Sequence, residues 1–277
     1  MTPQDLEKYR LVIPDDALPR SIRHGDEEAS GGFFYIPDFI SCDEERYLLE
    51  KIEQCPKPKW KVLQNRRLQS WGGQVSSRNV LIPEAMPDWL VHYPPLVHRL
   101  AATGCFAKSL HQRPNHCLIN EYLPGQGIMP HQDGGAYHAT VATISLASHT
   151  VLDIYRWADD GEAVDSQHTT RARECDPAFS ILQEPRSLLL TTGDAYRMYL
   201  HGIAERTREE TSHLSRVVNG SSVRDRAIKA KVQAACGPNA GSDLDQYDVL
   251  IREKRVSLTF RDVEKVSKGL NALLVKH

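Results

Sequence analysis

His116-Cys117-Leu118-Ile119-Asn120-Glu121-Tyr122 is the stretch that decides the fold class. His116, Leu118, Asn120 and Tyr122 alternate with Cys117, Ile119 and Glu121, and a period of two marks a strand with two distinct faces. Arg255-Val256-Ser257-Leu258-Thr259-Phe260-Arg261 repeats the pattern. There Val256, Leu258 and Phe260 can pack a core, while Arg255, Ser257, Thr259 and Arg261 share the other face. Between these two stretches lie further β-rich runs: two within residues 141–155, around Ser148-His149, and one over 186–192. The last meets Gly193-Asp194, a turn signal, which predicts a returning strand over 196–201. Upstream, residues 33–37 predict a short strand, and Ser41 followed by Glu44 reads as a capping box opening a helix over 42–54. Short antiparallel strands with few helices point to a mainly β sandwich or barrel with flanking helices.

The rest of the chain bounds this reading. Its 277 residues suit one large domain or two small ones, and 25% charged with 40% hydrophobic content is ordinary for a globular protein. A net charge of -2 does not advertise a polyanion binder, so any nucleic-acid contact must rest on a local patch. No signal-peptide core and no long apolar run is present, which predicts a soluble cytoplasmic or nuclear protein, no membrane contact, and a monomer. The six cysteines are scattered without a Cys-x-x-Cys pair, which argues against a disulfide framework or a cysteine zinc site. Asn219-Gly220-Ser221 matches a glycosylation acceptor but reads as loop. Residues 1–32 read as a polar tail, 157–184 and 205–252 as surface insertions, the second with a helix near 223–235.

His131-Gln132-Asp133 carries the chemistry. On extended chain, residues two apart project to one face, so an imidazole and a carboxylate can reach one metal ion. With a second histidine from another strand they make a facial triad, which leaves three of six positions open and suits Fe(II) and O₂. Asn120 and Tyr122 offer an amide and a phenol from one face of the strand just before it. Arg255 and Arg261 face one way, with only Ser257 and Thr259 between them. Two arginines facing a β-rich core need anions, and a dicarboxylate would supply them.

The motifs in order, Asn120-Glu-Tyr122-Leu-Pro124-Gly125, His131-x-Asp133, His201 and Arg255-x5-Arg261, resemble the AlkB family of Fe(II)/2-oxoglutarate dioxygenases over roughly residues 113–264. Further stretches look closest to the sixth mammalian homologue group: residues 35–41, Pro56-Lys-Pro-Lys-Trp60, Trp71-Gly-Gly, Gly127-Ile-Met-Pro-His131, residues 148–153 and 184–187. The resemblance implies a double-stranded β-helix (jelly roll) over 113–264, an N-terminal α/β lid over 33–112 and a C-terminal helix over 265–277. It implies His131, Asp133 and His201 as iron ligands, and Asn120, Tyr122, Arg255, Ser257 and Arg261 as 2-oxoglutarate contacts. Arg255 would take the distal carboxylate, with Arg261 near the metal. Three departures stand out. Ala136 occupies a position that is acidic in many relatives, Ser257 one that is often asparagine, and 53 residues (202–254) separate His201 from Arg255.

The expected reaction couples oxidative decarboxylation of 2-oxoglutarate by O₂ to hydroxylation of a C–H bond. On an N-alkyl group the product is a hemiaminal, which collapses to an aldehyde and the bare nitrogen. The expected substrate is an N-alkylated base in RNA or single-stranded DNA, which reaches the iron unpaired. Residues 56–83 contain no acidic residue and carry Lys57, Lys59, Lys61, Arg66, Arg67 and Arg78, readable either as a phosphate track or as a solvated face. Arg66 and Arg67 are the candidate phosphate contacts, and Trp71, beside two glycines, and Tyr137 are the candidate base contacts, while Trp60 reads as packing. His138 and His149 flank the site without ligand spacing. Two alternatives are a hydroxylase or demethylase of protein side chains, and a nucleic-acid-binding protein with an idle iron site.

Overall fold

The computed structural model describes residues 3–19, 30–158, 172–236 and 249–267. In chain order its principal strands are β1 (Gly31–Ile36), β2 (Lys61–Leu63), β3 (Arg66–Trp71), β4 (His116–Tyr122), β5 (Ile128–His131), β6 (Tyr137–Leu146), β7 (Thr150–Arg156), β8 (Phe179–Gln183), β9 (Leu188–Gly193), β10 (Tyr199–Ile203) and β11 (Arg255–Val263). They form a seven-stranded sheet, β1-β9-β6-β11-β4-β3-β2, and a four-stranded sheet, β8-β7-β10-β5. Every pairing within the two sheets is antiparallel. The two sheets face each other as a jelly roll.

Alternation along each strand sorts residues between layers. Val256, Leu258 and Phe260 of β11 join Cys117 and Ile119 of β4 in a core under α1 (Cys42–Glu53) and α2 (Leu96–Ala102), with Leu48, Ile52, Leu96 and Leu100. The opposite face of the large sheet meets the small one through Phe33, Tyr122, Leu152, Ile154, Phe179, Ile181 and Leu189. Phe33, Phe179 and Tyr199 pack edge-to-face there, with centroids 5.5–5.7 Å apart. Ser41 and Glu44 form the full capping box expected at the start of α1.

Several expected boundaries shift. The returning strand starts at Tyr199, because Asp194–Met198 forms one helical turn that carries the chain from the large sheet to the small one. Residues 179–183, expected within an insertion, are the wholly buried strand β8; Phe-Ser-Ile-Leu-Gln shows no two-residue period because its polar Ser180 and Gln183 are buried too, bonded to Asp153 and to Ser145 and Arg255 of other strands. The 205–252 segment is not merely a surface insertion. Leu214, Val217, Val223 and Leu250 join Ile228, Val232 and Ala235 of α3 (Arg226–Cys236) in a third core against Val151 and Leu182, on the outer face of the small sheet. Burying side chains of this kind contributes about 1.5–3 kcal/mol each, which holds the segment down. Asn219 lies buried within it, its amide bonded to both polar atoms of the Leu182 backbone, so its side chain is not an exposed acceptor.

The N-terminal stretch is not a loose tail either: Leu6, Leu11 and Ala17 are buried, and Arg10 bridges to Phe34. Residues 33–112 supply strands to the large sheet rather than standing apart, and only Phe33 and Arg66 among them line the central cavity. Of the C-terminal helix expected over 265–277, residues 265–267 are not helical, with Val266 bridging to Leu81, and 268–277 lie outside the described residues, as do 159–171 and 237–248 of the two insertions.

Candidate iron and 2-oxoglutarate site

The site forms between the sheets. β5 and β10 pair so that His131 and His201 are direct register partners, with ring centroids 4.5 Å apart. The close pairing depends on Gly202, where a Cβ would come within 2.9 Å of the Pro130 nitrogen. Asp133 follows two residues after His131, and the ligand atoms of His131, Asp133 and His201 all lie within 4.8 Å of one another, the one such group among the described residues.

Surrounding bonds orient each ligand. The His131 Nδ1–H donates to the Met129 carbonyl at 2.8 Å, leaving Nε2 as the free lone pair. The Gln132 amide donates to the Arg197 carbonyl, and the Tyr196 hydroxyl reaches the Asp133 and Gly134 carbonyls at 2.6 and 3.0 Å. The turn carrying Asp133 is thereby tied to the helical turn that leads into β10. Burial pushes the His201 imidazole down to about 4, so it is neutral at ordinary pH and able to ligate. Burial alone would raise the Asp133 carboxyl, but Arg261, His201 and His131 more than offset this and hold it below its usual value. Its Oδ1 accepts from Arg261 Nη2 at 2.5 Å, while Oδ2 is buried with no partner. An orphaned carboxylate oxygen beside two imidazoles fits a divalent metal, and the donor set suits Fe(II) with three positions left open.

A cavity of about 280 Å³ opens from this triad. Asn120 and Tyr122 of β4 line it together with Arg255, Ser257, Thr259 and Arg261 of β11. Arg261 sits at the Asp133 end, beneath the Tyr137 ring at 4.9 Å. Arg255 lies at the other end, its Nη2 donating to Ser145 Oγ and Gln183 Oε1 at 2.8 Å, with Tyr122 at 5.9 Å. Burial lowers the Arg255 guanidinium to about 10, still charged at neutral pH, and its Nε is buried and unpartnered. A buried guanidinium with a spare donor calls for an anion. Ser145 and Gln183 were missed in the sequence, because their place beside Arg255 arises only from strand pairing across two sheets.

The substrate candidates scatter. Arg66 lines the cavity and donates through Nε to Asn120 Oδ1 at 3.2 Å. Arg67, the next residue, points to the other face, where Glu121 takes Nε and Nη2 at 2.7 and 2.8 Å and Trp60 lies under the guanidinium at 4.0 Å. Trp71 does not reach the cavity: it packs on Trp89 at 5.5 Å, bonds Gln69 and carries Lys59 over its ring. Tyr137 lines the cavity, as does Tyr196, which the sequence reading did not single out. His138 pairs with Glu264, and His149 is buried beside Arg252 and Arg255, outside the triad.

Residues 32–261 match the model of the 2OG-Fe(II) oxygenase superfamily. The chain is 42% identical over 265 residues to a zebrafish (Danio rerio) protein named probable RNA/DNA demethylase ALKBH6, covering 96% of this chain and 93% of that protein. It is 27% identical to the uncharacterized protein L905 of Acanthamoeba polyphaga mimivirus, over 84% of this chain and 86% of the relative. The solved structure of OsALKBH1 aligns with 85% of this chain at 13% identity and a TM-score of 0.47. Fe(II), 2-oxoglutarate and O₂ are the cofactors and cosubstrates of the superfamily, whose chemistry couples decarboxylation of 2-oxoglutarate to oxidation of a substrate C–H bond. The chain is a 2-oxoglutarate-dependent dioxygenase of the 2OG-Fe(II) oxygenase superfamily and belongs, with ALKBH6, to the AlkB family.

Proposed function

We propose that this dioxygenase removes N-alkyl groups from bases of RNA or single-stranded DNA. The observation that carries the reading is the polarity of the cavity along its length. One end is fully buried and cationic, with Arg255, Ser145 and Gln183, and suits the distal carboxylate of 2-oxoglutarate. At the other end the triad adjoins part-buried or exposed Tyr137, Tyr196 and Gly134, where a flat ring can approach. In this reading His131, Asp133 and His201 hold the iron, Arg255 and Tyr122 grip the distal carboxylate, and Asn120, Ser257 and Arg261 orient the end nearer the metal. The ALKBH6 relative is named a probable RNA/DNA demethylase, which supports the substrate class. Lys57, Lys61, Arg66 and Arg78 supply positive charge, whereas Lys59 and Arg67 are neutralised by Glu84 and Glu121. When bound, the iron, 2-oxoglutarate and O₂ would supply the oxidation; the chain binds, positions and excludes water.

The test is incubation of the iron-loaded protein with methylated oligonucleotides and, separately, with a peptide panel, measuring succinate and formaldehyde. Formaldehyde released in step with succinate from an oligonucleotide is the expected result. Succinate coupled only to peptide hydroxylation overturns the reading.

A further inference from the structure

Gln183 stands at the end of the cavity away from the triad. Along β8, Phe179 and Ile181 face the inter-sheet core, whereas Ser180 turns out to Asp153 and Leu182 to the third core. Gln183, the last residue of the strand, continues the inward set and lines the cavity. β8 pairs with β7 through Phe179↔Ile154 and Gln183↔Thr150, and Ile154 is also the register partner of His201. Four residues of β7 therefore separate the Gln183 row from the triad row, about 13 Å of strand. The small sheet thus brings Gln183 to the place where the large sheet brings Arg255.

The neighbours of the carboxamide fix which way round it sits. Arg255 Nη2 and Ser145 Oγ both donate to its Oε1, at 2.8 and 3.0 Å. A guanidinium has no lone pair to offer, so the atom facing it must be the oxygen. That oxygen is filled by two donors, and the NH₂ group, which makes no bond among the described residues, is left to the cavity. Glu184, the next residue, offers it no acceptor: its carboxylate is taken by the Tyr35 hydroxyl and the Arg224 and Asp225 amides, and it does not line the cavity. Gln183 is only 2% exposed, and amide donors buried so deeply need an acceptor. The cosubstrate of the superfamily brings one to this end, its distal carboxylate.

We propose that Gln183 gauges the length of the cosubstrate. Its NH₂ group donates to the distal carboxylate beside Arg255, and its side chain closes the cavity at the depth of a five-carbon 2-oxo diacid. A six-carbon diacid, one methylene longer, meets this wall. The assignment stands on membership of the superfamily and is independent of which polymer or base is oxidised.

The test is titration of the Fe(II)-loaded full chain under argon with 2-oxoglutarate and, separately, with 2-oxoadipate. The metal-to-ligand absorption band reports binding without turnover. The parent should bind 2-oxoglutarate about tenfold or more tighter than the longer diacid. Gln183→Ala removes both donor and wall, so 2-oxoglutarate should weaken while 2-oxoadipate holds or gains, and the ratio narrows. Gln183→Met keeps the length and removes the donor. There 2-oxoglutarate should weaken by about tenfold with the ratio retained. Ser145→Ala, which loosens Arg255 but keeps the amide donors, should cost less than Gln183→Met. Equal parent affinity for the two diacids, or a loss that both share equally in Gln183→Ala, overturns the gauge. Parent-like 2-oxoglutarate affinity in Gln183→Met, or a loss in Ser145→Ala as large as in Gln183→Met, overturns the direct contact and leaves Gln183 only as a prop for Arg255.

Discussion

Arg261 on β11 and Asp133 just after β5 form an ion pair 2.5 Å long, with both side chains only 7% exposed. The arginine therefore serves the metal end of the cavity through the very carboxylate that completes the triad. Removing one partner of a buried pair leaves a desolvated charge, at a cost of about 3–5 kcal/mol. Arg261→Gln should lower the melting temperature of the metal-free protein, and added Mn(II) should recover part of the loss by replacing the missing positive charge. A metal-free variant as stable as the parent would show that the pair does not hold the turn.

Arg255 is expected to govern affinity for 2-oxoglutarate with little influence on iron. Arg255→Ala should weaken 2-oxoglutarate by about 30-fold or more, the consequence of losing a charge-assisted fork. Its Nη2 is fixed by Ser145 and Gln183, so Gln183→Ala should weaken 2-oxoglutarate less, by freeing the guanidinium without removing it. Anaerobic titration of the metal-to-ligand absorption band measures both. Wild-type affinity in Arg255→Lys would rule out bidentate recognition.

Arg66 and Arg67 should separate in their effects. Arg66→Glu should weaken oligonucleotide binding and reduce its salt dependence by about 0.7 log units per log unit of salt for one lost phosphate contact. A loss of affinity with the slope retained would rule out a phosphate contact at Arg66. Arg67→Glu should instead destabilise the fold, because it leaves the buried Glu121 facing a second carboxylate. Trp71→Ala should cost stability through lost packing on Trp89 and leave oligonucleotide affinity nearly unchanged.

Acid should weaken the fold through two buried histidines outside the triad. Burial and Arg261 hold His116 down to about 4, and burial with Arg252 and Arg255 holds His149 at about 4 against the opposing pull of Asp225 and the Leu250 backbone. Both ordinarily titrate near 6.5 when unfolded. The unfolded chain therefore binds more protons between these values. The stabilisation is fully present above 6.5 and is lost as pH falls towards 4, by up to about 3 kcal/mol for each histidine. Chemical denaturation of the metal-free protein across this window should show the decline, and His149→Gln should flatten it. An unchanged slope in that variant would mean His149 titrates normally in the folded chain.

Much of this protein was determined by local sequence. Alternation in residues 116–122 and 255–261 set two strands and chose which face of each carries polar groups, because a side-chain period of two is a property of extended backbone itself. The capping box at Ser41 and Glu44 started α1 for the same local reason. His131-x-Asp133 put two ligands on one side, and Arg255-x5-Arg261 put two cations on one face. The same alternation separates Arg66 from Arg67, although their shared charge suggested a shared role.

Only the tertiary structure decided what depends on register between distant strands. His201 faces His131 because β10 pairs with β5, and Ser145 and Gln183 meet Arg255 because two sheets close upon each other. Trp71 was committed to Trp89, and the 205–252 segment acquired a core of its own against Val151 and Leu182. Local periodicity fixes which way a side chain points, but what it meets is set by burial energy gained across the whole chain, and that sum exists only once the sheets have packed.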